Sequence, residues 1–189
     1  KSKNYMIFHK TKIDGLYIIE PELKFDERGY FARIFCEKEL VKNGINFKIV
    51  QINRSLNKKR GTIRGMHFQK WPKAEGKIVQ CTQGAIYDVA IDLRKNSPTF
   101  GKWESIELTE ENKKMFLIPK GFAHGFQTLT DNCELLYFMS EFYYSDYSSG
   151  VRWDDPFFNI KWPIKNPIIS EKDKNWPLIK KNEKNSINW

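Results

Sequence analysis

Only three histidines occur in 189 residues, and two sit in apolar stretches framed by glycine: His67 in GTIRGMHFQ (61–69) and His124 in IPKGFAHGF (118–126). An imidazole titrates near neutrality, so either could take a proton from a weakly acidic carbon, or sit as a satisfied polar residue in a β core. Arg64, three residues before His67, carries a planar fork of donors that suits an anion. Three residues along a regular strand point to opposite faces, so Arg64 and His67 serve one pocket only if Gly65 marks a bulge or bend. A regular strand with Arg64 turned to solvent would exclude that arrangement. Lys77 after Gly76, Tyr137 in LLYF and Asp173 in SEKDK add an ammonium, a phenol and a carboxylate. Each also has a plain reading: a solvated lysine, a packing tyrosine, a surface acid. In AIYDVAIDL (85–93), alternation puts Asp88 on a face with Ile86, Ala90 and Asp92, opposite Tyr87, Val89, Ile91 and Leu93. That carboxylate borders a polar pocket, pairs with a buried cation or lies on a solvated outer face.

The elements that must position these groups read as strands. Short β-rich segments recur with turn residues between them: 15–21, 30–35, 47–56, 62–69, 77–83, 85–93, 103–109, 115–121, 124–130 and 133–140. That cadence predicts an antiparallel sandwich or barrel. EKELVKNG (37–44) is the best short helix, ended by Gly44. Beyond about residue 141 the aromatics, prolines and aspartates read as a loop-rich cap on the β core. With 40% hydrophobic and 15% aromatic residues, and neither repeat nor linker, residues 1–189 are expected to form one domain.

The formal charge of +9 attracts anions: nucleic acid, an anionic membrane surface or a phosphorylated small molecule. Part of the excess lies in a tail cluster of Lys172, Lys174, Lys180, Lys181 and Lys184. No recognition helix or aromatic-basic platform is evident, which argues against nucleic acid. No apolar run approaches the roughly 18–20 residues of a membrane span, and the start KSKNYMIFHKTK lacks a signal-peptide core. A cytoplasmic protein is therefore expected, with no membrane partner. Cys36, Cys81 and Cys133 are odd in number and each lies in an apolar stretch, which suits reduced core thiols.

The pattern P-x-G-x-x-H in IPKGFAHGF resembles the second motif of cupins, the double-sheet jelly rolls. Where metal-binding cupins carry a second histidine, Gln69 follows His67, and only His9 remains as a third imidazole, so no metal is expected. The ordered series DERGYF, QINRS, RGMHFQ, EGKIVQCTQGAIYDVAIDLRKNSPTFGKW, IPKGFAHGF, LLYF, RWDDP and ISEKDK resembles the dTDP-4-dehydrorhamnose 3,5-epimerases over nearly the whole chain. That resemblance implies an all-β, cupin-like jelly roll with short helices, working as a homodimer with exchanged N-terminal strands and without metal or organic cofactor. It implies inversion at C3 and C5 of a nucleoside-diphosphate 4-keto-6-deoxy sugar. It assigns His67 as base, Asp173 as the carboxylate that holds its tautomer, Lys77 as the cation at the enolate oxygen and Tyr137 as the acid across the ring. It gives the diphosphate to Arg64, with polar contacts from Gln51 and Asn53, and places His124 and Lys172 at the same cavity. Arg28 and Phe31 would come from the neighbouring subunit, and Phe142 stands where a base-stacking tyrosine is common.

Two positions depart from the family pattern. Arg33 replaces an acid that lies near the nucleotide, which sets thymidine against another base, and Phe138 follows Tyr137 where lysine is frequent. The alternatives are a single-carbon epimerase of a CDP- or GDP-linked 4-keto sugar, and a nucleotide-sugar binding protein without turnover.

Overall fold

A computed structural model describes residues 5–179. In chain order its elements are β1 (Met6–Lys10), β2 (Tyr17–Pro21), β3 (Lys24–Asp26), β4 (Gly29–Phe31), α1 (Glu37–Lys42), β5 (Gln51–Asn57), β6 (Ile63–Gln69) and β7 (Lys77–Gln83). There follow β8 (Ala85–Asp92), β9 (Trp103–Thr109), β10 (Met115–Ile118), β11 (Phe122–Thr128), β12 (Cys133–Met139), β13 (Ser148–Gly150) and α2 (Glu171–Lys174). A six-stranded sheet runs β1-β2-β10-β7-β12-β5 and a five-stranded sheet runs β13-β6-β11-β8-β9. Neighbouring strands in both pair antiparallel, the two-layer arrangement of a jelly roll.

Three apolar clusters follow from strand alternation. Between the sheets lie Val79, Ile86, Ala90, Leu108, Phe116, Phe122, Phe126 and Leu135. Each fully buried phenylalanine there stabilises the fold by about 2–3 kcal/mol. Behind the six-stranded sheet, Ile19, Ile78, Met115, Leu117 and Phe138 meet Leu40 of α1 and Phe47. Behind the five-stranded sheet, Met66, Phe68, Val89 and Ile91 meet Val151 and Phe158 of the C-terminal cap, with Phe157, Ile160 and Trp162 around them. The cap thus covers a sheet face that would otherwise be wet.

The helix at α1 forms as expected, and Gly44 follows it with φ +75°, its N–H returning to the Val41 carbonyl. The segments at 30–35 and 47–56 are only partly strand. Residues 32–36 carry no ladder, and Ile45 and Phe47 turn into the cluster beneath α1 before β5 begins at Gln51. Neither β1, β3, β13 nor α2 was evident in the pattern, being too short to show a period. The β3–β4 hairpin forms its own two-stranded sheet and exposes Phe25, Tyr30 and Phe31 (73%, 50% and 62% accessible). Among the described residues no helix is long and apolar enough to cross a membrane, and Cys36, Cys81 and Cys133 are free. Lys180, Lys181 and Lys184 lie outside the described residues.

Candidate active site

The strand carrying His67 is bulged where the spacing of Arg64 and His67 demanded it. Along the β6–β11 ladder His67 faces His124, but Arg64 faces Phe126, so three steps on β6 oppose two on β11. Gly65 takes up the extra residue with φ +131°, and a Cβ there would fall 2.5 Å from the Gly125 Cα. Arg64 and His67 therefore share the face that also carries His124 and Phe126, while Met66 and Phe68 point outward to the cap.

His67 is held by Asp173 of α2, its Nε2 lying 2.6 Å from Asp173 Oδ1. A carboxylate only accepts, so Nε2 carries the hydrogen and Nδ1 keeps a free lone pair. Burial pushes the Asp173 carboxyl upward, but the hydrogen bond and charge of His67, the Gly65 N–H and the Trp176 indole together hold it below its ordinary value. Ser170 caps α2 by accepting the Asp173 N–H, which fixes the acid over the strand.

The six-stranded sheet forms the facing wall. Tyr137 pairs with Asn53 and Val79 across the ladders, and Met139 with Gln51 and Lys77, so Gln51, Asn53, Lys77, Tyr137 and Met139 share one face. Lys77 is buried (6% accessible) and its Nζ donates to Glu75 Oε1 at 3.0 Å. The Tyr137 hydroxyl lies 2.8 Å from that of Ser55, and burial pushes its phenol up to about 12. Arg64, although exposed, reaches this side: its Nε donates to Asn57 Oδ1 at 2.6 Å, and Asn57 Nδ2 donates to Ser55 Oγ at 3.4 Å. A chain of hydrogen bonds thus joins the arginine to the phenol. A cavity of about 420 Å³ opens between the walls, lined by Gln51, Asn53, His67, Gln69, Glu75, Lys77, Met139, Tyr143, Ser148 and Lys172.

Behind His67, His124 Nε2 lies 2.6 Å from Asp88 Oδ1, and both side chains are buried. Desolvation raises the Asp88 carboxyl and lowers the His124 imidazole, each pushed toward its neutral form despite the other. Asp88 Oδ2 has no hydrogen-bond partner, and the solvated-face reading of Asp88 fails.

Several assigned positions sit elsewhere in this chain. Arg28 and Phe31 stand on the projecting hairpin, Arg28 bonded to Asp26. Phe142 is exposed with its carbonyl bonded by Gln69, and Tyr143 forms the cavity wall at that point. Gln69 is a clamp: it donates to the Lys73 and Phe142 carbonyls and accepts from the Tyr144 N–H. Phe138, which stands where lysine is frequent in the family, packs beneath α1 on the face opposite Tyr137. Arg33 pairs with Glu39 at 2.9 Å and lies over the Tyr5 ring, so its charge is partly neutralised within this chain. His9 pairs with Glu20 on the surface. Glu75, Ser55, Tyr143 and Trp176 were not singled out in the sequence. Alternation could have given the first two, since Glu75 is two residues from Lys77 and Ser55 continues the Gln51, Asn53 face. Among the described residues no group of three His, Cys, Asp or Glu side chains could hold a metal ion.

The same chain matches known proteins along most of its length. The profile of the dTDP-4-dehydrorhamnose 3,5-epimerase family fits residues 10–181. A dTDP-4-dehydrorhamnose 3,5-epimerase of Methanothermobacter thermautotrophicus is 48% identical over 178 residues, 93% of this chain and 95% of that one. The crystal structure of a dTDP-4-dehydrorhamnose 3,5-epimerase from Bacillus anthracis with TDP and PPi bound superposes with a TM-score of 0.90 at 45% identity, covering 92% of this chain and 99% of that one. That of a dTDP-6-deoxy-D-glucose-3,5-epimerase from Legionella pneumophila in complex with dTDP-4-keto-L-rhamnose gives 0.86 at 39%, covering 92% of each.

Proposed function

Because the chain belongs to the dTDP-4-dehydrorhamnose 3,5-epimerase family, we propose that the cavity between its two sheets is where C3 and C5 of a dTDP-linked 4-keto-6-deoxy sugar are inverted. The protein is an isomerase of the dTDP-rhamnose route with a nucleotide-sugar substrate. One observation carries the mechanism: the base and the acid stand on facing sheets. Inversion needs a proton removed from one face of the ring and returned to the other, and His67 stands on β6 of the five-stranded sheet while Tyr137 stands on β12 of the six-stranded one.

His67 Nδ1, left basic by the hydrogen bond of Nε2 to Asp173, takes the proton from the carbon next to the ketone. The bonding pair moves into the ring and charge develops on the C4 oxygen. The Lys77 ammonium, buried and already oriented by Glu75, meets that charge where water would screen it least. Tyr137, with its phenol near 12, stays protonated through the neutral range and gives its proton only to a strongly basic carbon on the opposite face. Arg64, Gln51, Asn53 and Lys172 receive the diphosphate and the adjoining polar groups.

The functional unit is a homodimer. Its support is the β3–β4 hairpin, whose exposed Phe25, Tyr30 and Phe31 leave an apolar surface that a second copy would cover, carrying Arg28 and Phe31 toward the neighbouring site. With Phe142 beside that nucleotide end, an aromatic face is available for the base. The chain works as one folding unit, in the cytoplasm, where three free cysteines are at home.

The test is incubation in heavy water with dTDP-4-keto-6-deoxyglucose, read by NMR and mass spectrometry. Deuterium at C3 and C5 with both centres inverted is expected, and its near-total loss in His67→Ala at unchanged fold. A single deuteron would mark a one-carbon epimerase, and no uptake would overturn the reading.

A further inference from the structure

We propose that Trp176 is a positioning residue for the base, holding Asp173 against His67 with its indole N–H and seating Lys172 at the cavity with its ring. The inference deepens the role given to His67 above and rests on it. Trp176 Nε1 donates to Asp173 Oδ1 at 3.0 Å, the same oxygen that His67 Nε2 approaches at 2.6 Å. The other oxygen takes the Gly65 N–H at 3.1 Å, so the carboxylate is fixed in its plane by three donors from β6 and α2's end. The indole also meets the imidazole edge-on, with ring centroids 6.3 Å apart.

What fixes the indole is a small residue on the next strand. A Cβ at Gly150 would fall 2.5 Å from Trp176 Cε2, so the ring lies directly on the β13 backbone. Gly150 is the ladder partner of His67, which makes the platform part of the same sheet as the base. On the indole's other side, Lys172 Nζ stands 5.6 Å from the ring centroid, and Lys172 lines the cavity. One side chain thus sets three things: the acid, the ring it orients and a cation facing the substrate.

The chemical consequence concerns how strongly Asp173 pulls on the imidazolium. An oxygen shared by two donors offers less charge to each, so the indole moderates the stabilisation of protonated His67. Removing the donor leaves Asp173 free to hold the imidazolium more tightly, and the base is then protonated at higher pH. The other charged or titratable groups facing the pair are Lys172 from α2, Arg64 on β6, His124 from β11, and Lys77 and Glu75 across the cavity. Arg64, His124, Lys77 and Glu75 keep their own partners when only the indole N–H is lost.

The test compares Trp176→Phe and Trp176→Leu with wild type across pH. Trp176→Phe is expected to lower kcat about tenfold with KM little changed, because the base is less well aimed. Its low-pH limb should move upward by about half a unit. Trp176→Leu should also raise KM, since Lys172 loses its aromatic seat. A Trp176→Phe enzyme with wild-type kcat and limb would overturn the proposal. So would one with lowered kcat, an unmoved limb and a lower melting point, which is a purely structural effect. Where a variant fails to fold, the indole N–H resonance of wild type decides. It should sit downfield and shift as the Asp173–His67 pair titrates, and a resonance at the free-indole position overturns the link. That resonance is read whether or not the enzyme turns over dTDP sugars, so failure of the proposed reaction and failure of this inference are told apart.

Discussion

Tyr137 shows how one half-buried residue divides a reaction into separable halves. Its ring packs against the inter-sheet core while its hydroxyl meets Ser55, and burial pushes the phenol up to about 12. Phenylalanine keeps the packing and removes only the proton. Tyr137→Phe should therefore still exchange substrate hydrogen for deuterium through His67, but yield epimerised product about 100-fold more slowly. NMR of the recovered sugar checks both outcomes. Since the folded value lies so far above neutrality, the phenol is fully protonated below about pH 10 and contributes no limb to the wild-type kcat/KM profile there. Ionisable limbs between pH 6 and 10 belong to other groups, and a Tyr137→Phe profile of unchanged shape would support this.

At the scale of the element, the β6 bulge is the feature on which the site turns. Without it Arg64 would point to the cap with Met66 and Phe68, and the hydrogen-bonded path through Asn57 and Ser55 to Tyr137 would not exist. Gly65 occupies a left-handed φ and its α-hydrogens face Gly125 and the His124 carbonyl, so an added methyl meets backbone that has no room to yield. Gly65→Ala should cost about 3 kcal/mol of stability, read as a shift in urea midpoint. The surviving folded fraction should lose activity too, because relieving the clash separates β6 from β11 and carries His67 with it. A variant with wild-type midpoint and turnover would show that the bulge is dispensable.

For the whole molecule, the decisive question is where Arg28 acts. On one chain it stands on an exposed hairpin, paired with Asp26 and in a two-stranded sheet separate from the two large ones. If each site borrows the hairpin of its partner, two inactive proteins can rescue one another. Arg28→Ala and His67→Ala, mixed after mild dissociation, should regain about a quarter of wild-type activity. Half of the dimers are then mixed, and one of their two sites has both residues. No recovery would place Arg28 in its own subunit's site or outside any. Sedimentation of a Phe25→Ser, Phe31→Ser double variant should show a lighter species, since those rings leave the apolar surface.

How much of this was legible in the sequence depends on the range of the interaction. Alternation in AIYDVAIDL separated the two faces of β8 without saying which looks inward, and both are buried, Ile86 and Ala90 between the sheets and Val89 and Ile91 under the cap; the three-residue spacing of Arg64 and His67 across Gly65 demanded a bulge that β6 has. Both follow from backbone geometry within a few residues. The jelly-roll class and the epimerase family came instead from the resemblance of ordered motifs along nearly the whole chain. Partnerships were not: alternation allows Glu75 on the side of Lys77 but does not make it the counter-ion, and nothing in YFARIF names Glu39 or Tyr5 as the partners of Arg33. Alternation already put Phe138 on the face away from Tyr137, but only the fold brought α1 beneath it. Trp176 became a partner of the base only when β13 brought Gly150 beside His67. Local sequence sets which way a side chain points along its own strand, whereas the group it then meets can stand two residues away, as Glu75 does from Lys77, or on a distant element, as Asp173 does from His67, and only the tertiary structure decides which.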